Sequence, residues 1–327
     1  MDRGNQMSRY ARQLLLPEVG ADGQARLAAA HVLVVGAGGL AAPALPLLAG
    51  AGVGLITIVD GDTVDLSNLH RQTLFSEADQ GRSKAEAAAA RCRALNGDIE
   101  VADLAQVLTA ENAQTMVAQA DVVLDCADSY AASYVLSDTC LALHKPLISA
   151  SVLGLSGYVG GFCGGAPSLR ALFPDAPDSS ASCATAGVLG PVVASIGAMQ
   201  AQMALNLTLQ IDPSPLGQMV QFDGRTLRST SFRFDTAPEP DSCFRFLSAG
   251  QLTAQDHIVD LRSIEEAPIP AHPDAMRVLP ENLHKIEPNT DRRLALCCAT
   301  GLRAWRAAEQ IQPDWPGEIV LVAAATS

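Results

Sequence analysis

The chain has no excess of basic residues. Its 22 Lys and Arg face 35 Asp and Glu, a formal net charge of −13 over 327 residues. That balance argues against a nucleic-acid-binding surface, though it leaves room for a local cationic pocket. No run of about 18 apolar residues is free of glycine and proline, so no membrane span is expected. The opening MDRGNQMSRYARQ is polar and lacks the apolar core of a secretion signal. There is no disulfide framework either: Cys92, Cys126, Cys140 and Cys163 fall in apolar segments and read as small core residues. Such cysteine usage suits a reducing compartment, and a cytoplasmic protein is expected. What the chain does have is 48% hydrophobic residues, ample for a core. Its length predicts two domains, or one large domain with an appendage.

The most informative stretch is 32–72, VLVVGAGGLAAPALPLLAGAGVGLITIVDGDTVDLSNLHRQ. An apolar run, Val32 to Val35, ends in the turn Gly36-Ala37-Gly38-Gly39; an apolar helix and a second strand, Leu55 to Val59, follow, and Asp60 closes the unit. This is the pattern of a βαβ nucleotide-binding unit. The glycines let backbone approach a phosphate, the helix start offers unpaired N–H groups, and an acid at Asp60 suits ribose hydroxyls. Beyond it Asp62, Asn68, Arg71 and Lys84 crowd one polar stretch. A dehydrogenase needs only the ribose acid there, so two cations and an amide point to phosphate chemistry. Alone, Lys84 would read as a solvated helix-start lysine, and His70 reads as a surface residue.

Further along, strands and helices alternate. A helix is expected over 7–30, an alanine-rich helix over 85–95, strands over 99–104, 121–126 and 146–150, and helices over 110–119 and 130–144. The spacing predicts an α/β fold, a mainly parallel sheet covered on both faces. Residues 158–163 form a further strand, 164–182 a polar crossover loop, and 188–209 a long apolar helix. Strands at 219–222 and 227–234, joined at Asp223-Gly224, predict an antiparallel extension. Residues 235–246 look like a linker. The remainder reads as a small second α/β unit, with a strand at 294–298 running into Ala299-Thr300-Gly301-Leu302-Arg303 and a helix. The domains are expected at 1–246 and 247–327.

RYARQ at 9–13, GAGGLA at 36–41, DGDTVDLSNLHRQ at 60–72, GRSKAE at 81–86, DCAD at 125–128 and SCATAGVLGP at 182–191 together resemble the MoeB/ThiF family. These are ubiquitin-activating-enzyme-like adenylyltransferases acting on sulfur carriers. The tail, with Cys298-Ala-Thr-Gly-Leu-Arg303, resembles a small rhodanese-like domain. The resemblance implies a Rossmann-like sheet that binds ATP and Mg²⁺ and adenylylates the C-terminal glycine of a ubiquitin-like carrier ending in Gly-Gly. A thiocarboxylate would follow, with sulfur from a cysteine desulfurase or thiosulfate. It implies Gly36, Gly38, Gly39, Asp60 and Asp62 around the nucleotide; Asn68, Arg71 and Lys84 on the triphosphate; Asp128 on Mg²⁺; and Arg12 reaching a neighbour's site in a homodimer. Cys183 falls at the family's crossover-loop cysteine, and Cys298 would carry a persulfide, its anion favoured by loop N–H groups and Arg303.

The sequence departs from the family in ways that matter. Two Cys-x-x-Cys pairs usually bind a structural zinc; here they fall on Ser168 and Ala171, and on Cys243 and Phe246, so no zinc is expected. Ser129 and Ser133 stand where asparagine and arginine are usual, and Pro46 should disturb the first helix of the nucleotide-binding unit. A nicotinamide-dependent oxidoreductase and a non-catalytic carrier-binding scaffold are the alternative readings.

Overall fold

Residues 9–175, 187–287 and 292–324 are described in the computed structural model. The single helix expected over 7–30 is two, α1 (Ala11–Leu14) and α2 (Gly20–Ala29). Pro17 is the reason: it has no N–H to give and disfavours helical backbone at Leu16. Strand β1 (His31–Val35) follows, then α3 (Ala41–Ala51) and β2 (Leu55–Val59). Helix α3 runs on through Pro46, because Ala44, Leu45 and Leu48 are fully buried around it and hold it in place. The alternation continues with α4 (Lys84–Leu95), β3 (Glu100–Leu104), α5 (Ala113–Gln119), β4 (Val122–Asp125), α6 (Tyr130–Ala142) and β5 (Pro146–Leu153).

Next come β6 (Ser156–Cys163), the short α7 (Leu169–Leu172), the long α8 (Gly190–Leu209), β7 (Gln218–Asp223) and β8 (Arg228–Arg233). The large sheet has the order β3-β2-β1-β4-β5-β6-β7-β8. Its first five strands are parallel, and β6, β7 and β8 are added antiparallel, as expected. Helix α8 is long and apolar enough to cross a membrane, yet it is half buried against this sheet and α3, as a core helix is.

The small unit is a five-stranded parallel sheet, consistent with the rhodanese-like reading. It contains β9 (Arg245–Leu247), β10 (His257–Asp260), β11 (Met276–Arg277), β12 (Leu294–Cys298) and β13 (Ile319–Ala323), in the order β11-β10-β12-β13-β9, with α9 (Leu302–Ile311) after β12. Residues 235–246 do not behave as a linker. Glu239 receives hydrogen bonds from Ser168, and Phe246 enters the small sheet and is buried. One apolar layer packs α3 and α8 on the large sheet. The other runs unbroken from Leu33, Val123 and Leu136 to Phe246, Leu296 and Trp305 of the small unit. Cys297 and Cys298 are neighbours on β12 and so point to opposite faces of the small sheet. Both are fully buried, because the small sheet is covered on both sides: Cys298 belongs to the shared layer, Cys297 to a separate cluster with Ile258 and Val320.

Where helices meet the sheet, space is set by glycine. A Cβ on Gly197 of α8 would lie 2.2 Å from the Leu40 carbonyl oxygen, whereas one on Gly50 of α3 would meet nothing within 4 Å. Gly197→Ala should therefore cost about 1–3 kcal/mol by overpacking. Gly50→Ala should gain about 0.5–1 kcal/mol from helix propensity. Urea unfolding of the two variants checks the pair; equal effects would contradict this packing.

Candidate active site

In the order 3-2-1-4-5, chain direction across the sheet reverses between β1 and β4, and the crevice at the carboxyl ends of those strands is the natural ligand position. A cleft of about 360 Å³ lies there. Its polar end is lined by Gly36, Gly38, Gly39, Asp60, Asp62, Arg71, Gln72, Lys84 and Asp128. Its other end is apolar and aromatic, with Tyr134, Val152, Tyr158, Leu169 and Phe173.

The turn after β1 is forced by contact. Gly36 has φ +91°, and a Cβ there would sit 2.5 Å from the Cys126 carbonyl oxygen. A Cβ on Gly39 would strike Val193 at 2.8 Å. On Gly38 it would meet only the end of Gln72 at 3.6 Å, so that face is open to the cleft, a cradle that a larger residue would fill. Asp60 locks the turn: Ala37 N–H donates to one carboxylate oxygen at 2.7 Å and Asp62 N–H to the other at 2.8 Å. Burial raises its pKa despite these bonds. Each oxygen keeps a lone pair for a further donor, so ribose hydroxyls fit this acid.

The two cations are held differently. Lys84 is 6% exposed and donates to Asp62 at 2.8 Å, while the Asp62 side chain stands in solvent. Arg71 is oriented by Asn68, whose carbonyl accepts from Nη2 at 2.8 Å; Asn68 itself does not line the cleft. Gln72, which sequence reading passed over, is buried at the cleft with its carbonyl oxygen unpartnered among the described residues. A phosphate and a divalent cation fit this end: one exposed carboxylate, Asp128, with phosphate oxygens and water is an ordinary Mg²⁺ donor set. Asp128 does not cap α6, whose cap position is Ser129; the Ser129 side chain makes no capping bond and donates to the Thr300 carbonyl at 3.4 Å.

Outside the cleft, Arg12 lies exposed on α1, and His70 is exposed as expected. Cys183 lies outside the described residues. Cys298 sulfur accepts from Gly301 N–H at 3.2 Å and Ala304 N–H at 3.3 Å. Of this turn only Thr300 is exposed, while the sulfur is covered. Arg303 pairs with Glu266 rather than with the sulfur. At the four positions of the usual zinc pairs, Ser168 binds Glu239, Ala171 lies in α7, Cys243 is exposed and Phe246 packs among aromatic rings. Among the described residues no group of three or more His, Cys, Asp or Glu could hold a metal ion.

Behind Asp128 lies a network not seen in the sequence. Gln200 of α8 donates to the Asp125 carbonyl at 2.6 Å and the Ile148 carbonyl at 3.0 Å, stitching β4 to β5. The Asp125 side chain is wholly buried and its pKa is pushed up to about 6 from 3.8, burial outweighing hydrogen bonds from Ser133, Ser149 and Ala127. A raised folded pKa means the folded state binds the proton more tightly. The stability this contributes is full below about pH 4 and lost as pH rises through about 6. Wild type should therefore lose about 2–3 kcal/mol relative to Asp125→Asn between pH 4 and 7. Urea unfolding across that range measures it; a constant difference would contradict a raised Asp125 pKa.

The known proteins this chain is similar to agree with its fold. It is 45% identical over 221 residues to the adenylyltransferase and sulfurtransferase MOCS3 of Bos taurus, covering 67% of this chain and 49% of that protein. To MOCS3 of Anopheles gambiae it is 41% identical over 254 residues, covering 76% and 57%. The chain thus spans about half the length of the curated relatives it matches. Among solved structures it superposes on the microcin C7 biosynthetic enzyme MccB in complex with N-formylated MccA, with TM-score 0.64, 22% identity and coverage of 74% and 77%. It also superposes on PaaA, with TM-score 0.60, 21% identity and coverage of 71% and 75%. At those identities the likeness is one of fold. The profile of the ThiF family matches residues 10–243, from α1 through the antiparallel strands, and to that family the chain belongs.

Proposed function

We propose that this chain uses ATP to adenylylate the C-terminal glycine of a ubiquitin-like sulfur carrier ending in Gly-Gly, and that the activated carboxyl is then converted to a thiocarboxylate. The observation that carries this reading is the cleft itself. A glycine turn, a ribose-side acid, two cations and an exposed carboxylate converge at one end, and an aromatic end is left for an acceptor. Family membership, the curated relatives' names and a fold neighbour, E. coli MccB, solved with ATP support it.

In this reading Asp60 receives the ribose hydroxyls, and Gly36, Gly38 and Gly39 let backbone approach the phosphates. Lys84 exchanges the solvent-exposed Asp62 for phosphate oxygens, a swap that costs little because the pair is half in water. Arg71, held by Asn68, offers a fork to the same oxygens. Asp128 would hold Mg²⁺, whose charge would offset that developing on the phosphoryl group. The carrier carboxylate attacks the α-phosphorus, pyrophosphate leaves, and catalysis is positioning plus cation stabilisation.

Arg12 is exposed and does not line its own chain's cleft, and Leu15 and Leu16 beside it are exposed at 74% and 52%. A homodimer would cover these leucines and bring Arg12 to the partner's cleft. The amides around Cys298 suit a sulfur anion, so a persulfide there would attack the acyl-adenylate and release AMP. A second thiol, Cys183 or an external one, would then free the thiocarboxylate by forming a disulfide with Cys298. We also infer that no structural zinc is bound.

With Mg²⁺ and a Gly-Gly-ending carrier, the protein should catalyse ATP–pyrophosphate exchange, and Asp128→Ala should lower it by roughly a hundredfold or more. Undiminished exchange in a folded Asp128→Ala protein would remove that residue from the metal role. Cys298→Ala should keep exchange but lose thiocarboxylate formed from thiosulfate, read as one oxygen replaced by sulfur in the carrier's mass. Normal thiocarboxylate formation would show that the small unit is not the sulfur donor.

A further inference from the structure

The aromatic end of the cleft is lined by the large unit and backed by the small one. Tyr134 of α6 lines the cleft, and its hydroxyl donates to the Phe173 carbonyl at 2.8 Å. Phe173 stacks on Tyr158, with centroids 5.2 Å apart, and both also line the cleft. Behind Tyr134, on the side away from the cleft, stands the small unit. Trp305 of α9 packs on the Tyr134 ring at 4.6 Å, and Phe246 of β9 lies 6.5 Å from it. Thr300, in the turn after Cys298, accepts from Ala131 N–H at 3.4 Å, at the first turn of α6.

Arg170 joins these parts. It is 3% exposed and forms a two-pronged pair with Asp138 of α6, at 2.6 and 2.9 Å. The same guanidinium donates to the Phe244 carbonyl at 3.0 Å. Its carbon sits 4.7 Å from the Tyr134 ring centroid and 5.4 Å from that of Trp305. One planar cation therefore ties α6, α7, the approach to β9 and α9 together, by fork geometry and by stacking that lysine does not reproduce. None of these contacts is with a residue of the polar end; the nearest approach is at Thr300, whose carbonyl also accepts from Ser129 Oγ at 3.4 Å, next to Asp128.

We propose that the small unit is a structural wall of the acceptor end, with Arg170 and Trp305 as positioning residues that set Tyr134. The grip on the acceptor then depends on the tail through packing, independently of Cys298, while nucleotide binding does not. The acceptor half of this statement rests on the adenylylation reading; the bracing of α6 does not.

The test uses the full chain with Arg170→Met, Trp305→Ala and the conservative Arg170→Lys and Trp305→Phe. Two properties are measured: amide hydrogen exchange, and steady-state exchange kinetics with a Gly-Gly-ending carrier beside calorimetric binding of Mg-ATP. Arg170→Met and Trp305→Ala should speed exchange of amides 130–137 about tenfold and leave 31–39 unchanged. The carrier KM should rise about tenfold while the ATP Kd stays within about twofold, and Trp305→Phe should recover most of the loss. Faster α6 exchange with an unchanged carrier KM would overturn the positioning role. Parallel weakening of ATP would reduce the tail to general support and overturn it too. Should Arg170→Met fail to fold, Trp305→Ala and Arg170→Lys carry the same comparison. If wild type shows no pyrophosphate exchange with any carrier, the adenylylation reading fails; unchanged protection of 130–137 would then separately overturn the brace.

Discussion

The site depends on how closely the turn after β1 approaches the end of β4. At Gly36 there is no room for a single carbon, with the Cys126 carbonyl 2.5 Å from where it would stand. That approach brings the glycine turn and the Asp128 loop to opposite lips of one crevice. Asp60 fixes one lip through Ala37, and Asp125 fixes the other through Ala127. Gln200 reaches from α8 to join β4 and β5 beneath them. Three polar side chains, Asp125 and Gln200 buried and Asp60 half-buried, are thus committed to shape, in a region otherwise closed by apolar packing. Each is satisfied, as burial of polar groups requires.

Charge is distributed to the same end. The chain as a whole repels anions, yet Lys84 and Arg71 sit in the cleft with short local partners, Asp62 and Asn68. Asp62 is largely solvated, so it acts as a placeholder that an incoming phosphate can displace without stranding a buried charge. At the other end the lining turns aromatic, and there the small unit contributes the backing rather than the lining. A continuous apolar layer shared by both units gives that backing its rigidity.

The parts legible in the sequence were those encoded locally. The Val32–Val35 run, the glycine turn and Asp60 announce a βαβ unit within one short window, and the strands of the parallel sheet follow from their apolar runs. The antiparallel extension was readable from its glycine-bounded strands and the Asp223-Gly224 turn. What escaped was long-range. Residues 235–246 are polar and proline-bearing, so they read as a linker; Glu239 and Phe246 find their partners only once α7 and α9 are folded against them. Gln72 and Gln200 carry no motif, and nothing in the local pattern distinguishes them from surface glutamines. Asp125 was visible only as a neighbour of Asp128. Its raised pKa depends on burial that no local pattern reports. The N-terminal helix was over-extended because apolar periodicity outweighed Pro17.

The central claim is that one cleft holds a nucleotide at its glycine and lysine end and a carboxyl-terminal tail at its aromatic end, with the reacting groups between. A stable mimic of the joined product, a glycylglycyl sulfamoyl adenosine, measures this directly by calorimetry. A shared cleft requires one mimic per chain, bound at least about a hundredfold more tightly than AMP, because the second half binds without a second loss of translational freedom. Affinity no better than that of AMP would place the two ligands in separate sites and contradict the account.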